Sequence, residues 1–148
     1  MVRVMASGVF DILHPGHLHY LEQAKRMGDE LVVVVACDDT VRRLKHEPVT
    51  PQEMRRRMVE SLRVVDRALI GHQGDMFEIV KEIRPDIIAL GYDQEFNEED
   101  LRSKLLERGL DVDVRRVNEC SDDLNGTRKI IHRIIEEHGR SNEKDRYC

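Results

Sequence analysis

The feature that most constrains the fold is a continuous apolar run at residues 31–36, Leu-Val-Val-Val-Val-Ala. Such a run favours a β-strand, and a strand without polar positions has to be covered on both of its faces. Four further short segments, mostly rich in Val, Ile and Leu, also predict strands: residues 2–6, 67–70, 86–90 and 112–117. The run is far shorter than the ~20 residues of a membrane-spanning helix.

Helical patterns occupy the segments between these strands. They predict five helices, at about residues 18–27, 54–62, 76–83, 97–106 and 130–135. The second is predicted to open on a capping box, Thr50-Pro51-Gln52-Glu53, with the proline at the first helical position. Strands that alternate with helices predict a Rossmann-like, doubly wound α/β domain, with about five parallel strands and helices on both faces.

The pattern assigns residues 1–139 to one domain and the polar residues 140–148 to a flexible tail. In a doubly wound sheet, ligands bind beyond the carboxyl ends of the strands, where the strand order reverses. Two loops therefore become candidates for a binding site: residues 7–17 after the first strand and residues 91–94 after the fourth.

Charge and cysteine usage narrow the class of protein. The net charge of −5, with 36% charged residues, argues against broad binding to nucleic acid or to anionic membranes. The N-terminus lacks the pattern of a signal peptide, so we expect a cytoplasmic protein. Cys37, Cys120 and Cys148 are odd in number and widely spaced, which fits neither a disulfide framework nor a CxxC metal site. We expect reduced thiols.

The segment His14-Pro15-Gly16-His17 follows the first predicted strand and begins a helix. Pro15 suits the first helical turn, where free N–H groups and the helix dipole attract anions, and Gly16 allows close approach to the backbone. His14 and His17 can both donate hydrogen bonds to phosphoryl oxygens. A His-x-x-His pair could instead ligate a metal, but no cysteine or carboxylate at close, ordered spacing completes a ligand set. The segment therefore favours a phosphate site.

Residues 8–39, GVFDILHPGHLHYLEQAKRMGDELVVVVACDD, resemble the cytidylyltransferase family, whose members share a GxFDxxHxGHxxxL signature and a Rossmann-like fold. The resemblance implies a nucleotidyltransferase that joins a nucleoside monophosphate to a phosphorylated acceptor. It also implies that Val9 and Phe10 contact the nucleotide, and that His14 and His17 stabilise the transition state at the α-phosphate.

Further site residues follow from the same resemblance. Lys45 matches an acceptor-phosphate lysine with a catalytic role, and Arg55 or Arg56 matches a helix arginine directed toward phosphate. Successive helix positions point about 100° apart, so neighbouring arginines cannot all face one pocket. The implied nucleotide-binding residues are Val9, Phe10, His14, Pro15, Gly16, His17, Asp93, Asn118 and Thr127.

The expected reaction needs no nucleophilic side chain. A phosphate oxygen of the acceptor can attack the α-phosphorus in line and expel pyrophosphate. Asp93 is expected at the ribose or base, and Thr127 with its helix N-terminus at the β- and γ-phosphates. A divalent cation, Mg²⁺ or similar, is expected to bind with the triphosphate and keep most of its waters, so no residue is assigned as a metal ligand.

Residues 35–41, 91–94 and the cysteine-bearing loop 116–120 resemble archaeal FAD synthases. That resemblance favours ATP as the nucleotide and FMN as the acceptor. Two alternatives stay open: a glycerol-3-phosphate or related cytidylyltransferase that uses CTP, and a catalytically silent nucleotide-binding regulatory module on the same fold. A homodimer is expected from the resemblance, without a nucleic-acid or membrane partner. No flavin-binding motif is recognisable.

Overall fold

The computed structural model describes residues 1–122 and 124–139. The predicted tail at residues 140–148, which includes Cys148, lies outside the described residues. Within them the chain forms five strands: β1 (Arg3–Gly8), β2 (Glu30–Val35), β3 (Arg67–Ile70), β4 (Ile87–Leu90) and β5 (Asp113–Arg116). The helices there are α1 (Pro15–Arg26), α2 (Asp38–Leu44), α3 (Gln52–Glu60), α4 (Met76–Ile83), α5 (Glu98–Glu107) and α6 (Thr127–His138).

The strands form one parallel sheet in the order β3-β2-β1-β4-β5. The chain runs outward from the central strand β1 to β3, and it then crosses back to place β4 on the other side of β1. The strand order therefore reverses between β1 and β4, and their carboxyl ends border the crevice in which doubly wound folds bind ligands. The predicted Rossmann-like fold is confirmed.

The apolar run in β2 divides its side chains between two cores. Leu31, Val33 and Val35 pack with residues of α1 and α3 on one face, whereas Val32 and Val34 pack with residues of α4 and α5 on the other. All five side chains are buried. Each contributes roughly 1.5–3 kcal/mol through removal from water, and this burial on both faces explains the missing polar alternation.

Two expectations about the helices need correction. The sequence pattern predicts five helices, and the structure adds a short sixth one, α2, after β2. The capping box is also wrong, because α3 begins at Gln52, its N-cap residue is Pro51, and no side chain of the described residues caps it. The hydroxyl of Thr50 instead donates to the carboxylate of Asp11 at 2.9 Å. That carboxylate is buried and needs hydrogen-bond donors, so it competes successfully for this hydroxyl.

Among the described residues, none of the helices is both long enough and apolar enough to cross a membrane.

Candidate active site

The loop between β1 and α1 turns back on itself at Phe10. This residue has a left-handed backbone (φ 53°), and its ring is buried against the rings of Tyr20 and His17. A side chain at Gly8 would come within 3.0 Å of the Phe10 ring, so the ring would have to shift to admit it. Because the Phe10 side chain lies in the core, only its backbone can meet the nucleotide contact that the family resemblance implies.

His14 and His17 lie together at the N-terminus of α1. Their rings stack with centroids 3.7 Å apart, and Nδ1 of His14 accepts the backbone N–H of His17 at 3.3 Å. His14 is therefore the N-cap residue of the helix. A neutral imidazole that accepts through Nδ1 carries its proton on Nε2. His14 consequently offers an Nε2–H donor to a ligand.

Both histidines are neutral at pH 7. Burial is the main cause that lowers the pKa of His17 to about 3; the neighbouring His14 ring and Lys45 act in the same direction, and the carboxylate of Asp11 partly opposes them. Burial also lowers the pKa of His14, although nearby Asp93 partly opposes this shift. The Nδ1 atom of His17 is buried and has no hydrogen-bond partner among the described residues. An unsatisfied buried polar group costs roughly 1–3 kcal/mol, so a ligand that supplied its partner would be favoured.

A second helix N-terminus meets the first at this loop. The hydroxyl of Thr127, the first residue of α6, donates to the carbonyl of Ile12 at 3.3 Å. Gly16 lies so close to the carbonyl oxygen of Asn125 that a side chain at position 16 would clash with it. The N-termini of two helices, the positive ends of their dipoles, therefore meet at this loop, an arrangement suited to several phosphate groups.

The loop after β4 lies beside the end of β1. The side chain of Gln94 accepts the N–H of Gly91 at 2.8 Å and donates to the carbonyl of Ser7 at 3.0 Å. Asp93 is exposed on this loop and is near enough to raise the pKa of His14 against the effect of burial. The structure thus brings Asp93 and His14 together at the reversal of strand order.

Two other predicted residues lie around the same region. Lys45 is exposed at the C-terminus of α2, and its charge acts on His17. The carbonyl of Asn118 bonds Nε2 of His19 at 2.9 Å, which holds the β5–α6 loop against α1. The remaining members of the predicted set, Pro15 and Val9, begin α1 and follow β1 respectively.

The structure gives Arg55 a role other than the predicted phosphate contact. Its side chain is 0% exposed and pairs with Asp38 at 2.6 Å. The rest of its guanidinium donates to three carbonyls at 2.8–2.9 Å, those of Val9, Ala36 and Thr50. The loop between β1 and α1, residues 9–14, is called the signature loop below. These bonds join it to the end of β2 and to the start of α3.

The phosphate contact of Arg56 stays a prediction. Its guanidinium pairs along the surface of α3 with Glu53 at 2.7 Å and with Glu60 at 3.2 Å. Both predicted arginines therefore bond groups of the protein in this structure.

Sequence reasoning missed Asp11, which fastens the signature loop to residues 49 and 50, just before α3. Its carboxylate accepts the N–H groups of Val49 and Thr50 at 2.8 and 2.9 Å, together with the Thr50 hydroxyl. Burial alone would raise the pKa of Asp11, but these hydrogen bonds lower it overall. Its place in the GxFD part of the signature was the available signal.

Tyr20 and Arg116 were missed as well. The hydroxyl of Tyr20 donates to the carbonyl of Ala89 at 2.6 Å and accepts the N–H of Ser7 at 3.0 Å, which joins α1 to β4 and β1. Arg116 bonds several carbonyls of the loop after β4. Neither role has a local sequence signal, because the partners are distant in the chain.

Within residues 1–122 and 124–139, the histidines, cysteines and carboxylates form no group of three or more that could hold a metal ion.

Comparison with known proteins agrees with this geometry. Residues 5–142 match the family model described as "Cytidylyltransferase-like". The chain is similar to the FAD synthase of Aciduliprofundum boonei, with 58% identity over 137 residues and 92% of each protein covered. It is also similar to the FAD synthase of Methanoculleus marisnigri, with 52% identity over 94% of this chain and 93% of the relative.

The chain is also similar to a solved structure in both fold and sequence. The crystal structure of a protein from Thermoplasma volcanium, described as a lipopolysaccharide core biosynthesis protein, has a TM-score of 0.80 and 51% identity. It covers 82% of this chain and 99% of its own. The match to the family model spans most of the sequence, and the chain belongs to the cytidylyltransferase-like family.

Proposed function

We propose that this protein is an FAD synthase, which transfers the AMP group of ATP to FMN and releases pyrophosphate. The stacked pair of neutral histidines at the reversal of strand order carries the proposal of nucleotidyl transfer. The choice of ATP and FMN is supported by the FAD synthases that are 58% and 52% identical to the chain.

The transfer is a single displacement at phosphorus. An oxygen of the FMN phosphate attacks the α-phosphorus of ATP, the bond from that phosphorus to the bridging oxygen breaks, and pyrophosphate leaves. His14 and His17 donate hydrogen bonds as negative charge grows on the phosphoryl oxygens. Because both rings are neutral, they act as preorganised donors rather than as ion-pair partners. Lys45 supplies the positive charge for the attacking phosphate.

The helix N-termini hold the leaving phosphates in this proposal. The N–H of Gly16 in α1 and the N–H groups in the first turn of α6 are the most direct donors to the β- and γ-phosphates. The hydroxyl of Thr127 donates to the Ile12 carbonyl, so it would have to rotate before it could donate to phosphate. The nucleoside would contact the backbone of Val9 and Phe10, with Asp93 and Asn118 at its edge.

We also propose that Mg²⁺ or a similar cation enters with the triphosphate. Both carboxylate oxygens of Asp11 accept hydrogen bonds from the protein, so this buried group is committed elsewhere. The arrangement therefore fits an ion whose ligands are phosphate oxygens and water rather than a set of side chains. When bound, the ion would neutralise part of the triphosphate charge.

A matrix of substrates tests the proposed function. The protein is incubated with Mg²⁺, with ATP or CTP, and with FMN or glycerol 3-phosphate, and pyrophosphate and the nucleotide product are measured. We expect pyrophosphate and FAD in equal amounts, only with ATP and FMN together. Product formation only with CTP would support the cytidylyltransferase instead. No product with any pair would favour a silent nucleotide-binding module.

We propose a homodimer as the working form. Large apolar side chains are exposed on α3, at Met54 and Met58, and on α6, at Ile134 and Ile135. Apolar side chains exposed at neighbouring positions of a helix are typical of contact with another protein. Sedimentation equilibrium should give twice the chain mass of 17.3 kDa, whereas a single-chain mass at micromolar concentration would reject the dimer.

A further inference from the structure

Aromatic side chains are scarce, and their burial separates them into two classes. The chain has three Phe, three Tyr and no Trp. Among the described residues, Phe10 and Tyr20 are buried, and Phe77 is partly buried beneath the guanidinium of Arg108. Tyr92 and Phe96 are 53% and 42% exposed. Both exposed rings belong to the loop that connects β4 to α5.

This loop is held by Arg116 from β5. One terminal nitrogen of its guanidinium donates to the carbonyls of Gly91 and Gln94, each at 2.9 Å, and the other donates to the carbonyl of Phe96. The same side chain bonds Glu98, in the first turn of α5, at 2.6 Å. Arg116 therefore anchors the backbone of the loop at several points, and the exposure of the two rings does not come from a frayed backbone.

The loop is also fixed to the proposed active site. The side chain of Gln94 bonds both Gly91 and the carbonyl of Ser7, at the end of β1. Asp93, between the two aromatic residues, interacts electrostatically with His14. The loop that carries Tyr92 and Phe96 thus borders the crevice at the end of β1.

We propose that Tyr92 and Phe96 form a stacking subsite for a flat heteroaromatic ring, and that this ring is the isoalloxazine of FMN. The inference rests on the proposed function, which requires the protein to bind a flavin. Aromatic side chains hold such rings through their faces without needing a specific hydrogen-bonding pattern. Adenine shares this chemistry. The isoalloxazine system is the larger of the two and has an apolar edge, so it gains more from two exposed rings.

The test uses the full chain and the variants Tyr92→Ala and Phe96→Ala. Both rings are exposed, so the variants should keep the fold, which circular dichroism checks. We expect the Kd for FMN, measured by quenching of flavin fluorescence, and the KM for FMN to rise about tenfold. The KM for ATP should stay unchanged. Tyr92→Phe should retain FMN binding, because it keeps the ring.

Phe77→Leu is the matched control, since it removes an aromatic ring from α4, outside the proposed site. It should leave both KM values unchanged. A rise in the KM for ATP alone would assign the two rings to adenine and overturn the proposal, as would unchanged FMN binding in both alanine variants. If the unmodified protein makes no FAD, the proposed function fails, whereas the fluorescence titration still decides whether these rings bind flavin.

Discussion

Burial keeps the imidazole of His17 neutral, so in the proposed reaction this side chain would meet transition-state charge with a hydrogen bond and not with a charge of its own. The same burial predicts a pH dependence of stability. An unfolded histidine takes up a proton below a pKa of ~6.5, whereas folded His17 does so only near pH 3. As the pH falls through this window, the unfolded state binds more protons, and the free energy of unfolding decreases.

His17→Gln tests this dependence because glutamine does not titrate. Between pH 6 and pH 4, the free energy of unfolding of the unmodified protein should fall more steeply than that of the variant, by up to ~1.4 kcal/mol per pH unit. Urea denaturation at a series of pH values measures both slopes. Asp11 and His14 are present in both proteins, so the difference in slope reports the loss of the His17 ring together with its effect on these two neighbours. Parallel slopes would contradict a buried, neutral His17.

Arg55→Met should lower the free energy of unfolding by about 3–5 kcal/mol, because it leaves the partly buried Asp38 and three carbonyls without their donor. Arg56→Met is the matched control on the same helix. Its ion pairs lie along the helix surface, so a much smaller loss is expected. Urea denaturation measures both. Similar losses for the two variants would contradict the anchoring role of Arg55.

The sequence could have separated these two arginines. Arg55 lies four residues before the buried Val59, on the same face of α3, and therefore points inward. Helix phase was the decisive information, and the arginine type alone did not provide it. The bonding partners of Arg55 could not be inferred, because they lie on the signature loop, at the end of β2 and before α3, and only the tertiary fold brings them together.

At the scale of elements, the contact between the N-termini of α1 and α6 makes a specific prediction for Gly16. A methyl group there would clash with the Asn125 carbonyl and approach the His14 ring to 2.8 Å. Gly16→Ala should therefore displace the β5–α6 loop and reduce turnover by at least about tenfold, because small misplacements of catalytic groups are costly. Steady-state kinetics measures the loss.

Gly126→Ala provides the control for this prediction. Gly126 lies in the β5–α6 loop, at the start of α6, but the nearest side-chain atom to a methyl group added there is 3.9 Å away, on Lys129. Turnover should stay close to that of the unmodified protein. Equal losses of turnover for Gly16→Ala and Gly126→Ala would mean that any added methyl group where α1 meets the β5–α6 loop reduces activity. The close contact at Gly16 would then have no special role.

Sequence patterns were sufficient for the strands, since the apolar run in β2 reflects burial on both faces. The signature also located the start of α1. The approach of α6 to α1 had no comparable signal. It joins Thr127 to Ile12, far apart in the chain, and it depends on where β5 leaves the edge of the sheet.

At the scale of the whole molecule, a ligand that binds only the folded chain should raise its thermal stability. ATP with Mg²⁺ at 100 times its Kd adds ~2.7 kcal/mol to the free energy of unfolding. For a chain of this size, that corresponds to an increase in Tm of roughly 5–10 °C. CTP at the same concentration should produce a much smaller shift in a scanning fluorimetry experiment. An equal or larger shift with CTP would contradict the preference for ATP.

The central claim is that the histidine pair at the reversal of strand order performs adenylyl transfer to FMN. ATP labelled at the α-phosphate tests it most directly, in single-turnover reactions with FMN, Mg²⁺ and either the unmodified protein or folded His17→Ala. We predict that the label appears in FAD, that pyrophosphate is unlabelled, and that His17→Ala slows the transfer by about 100-fold or more. Label that never reaches FAD, or near-normal transfer by His17→Ala, would contradict the claim.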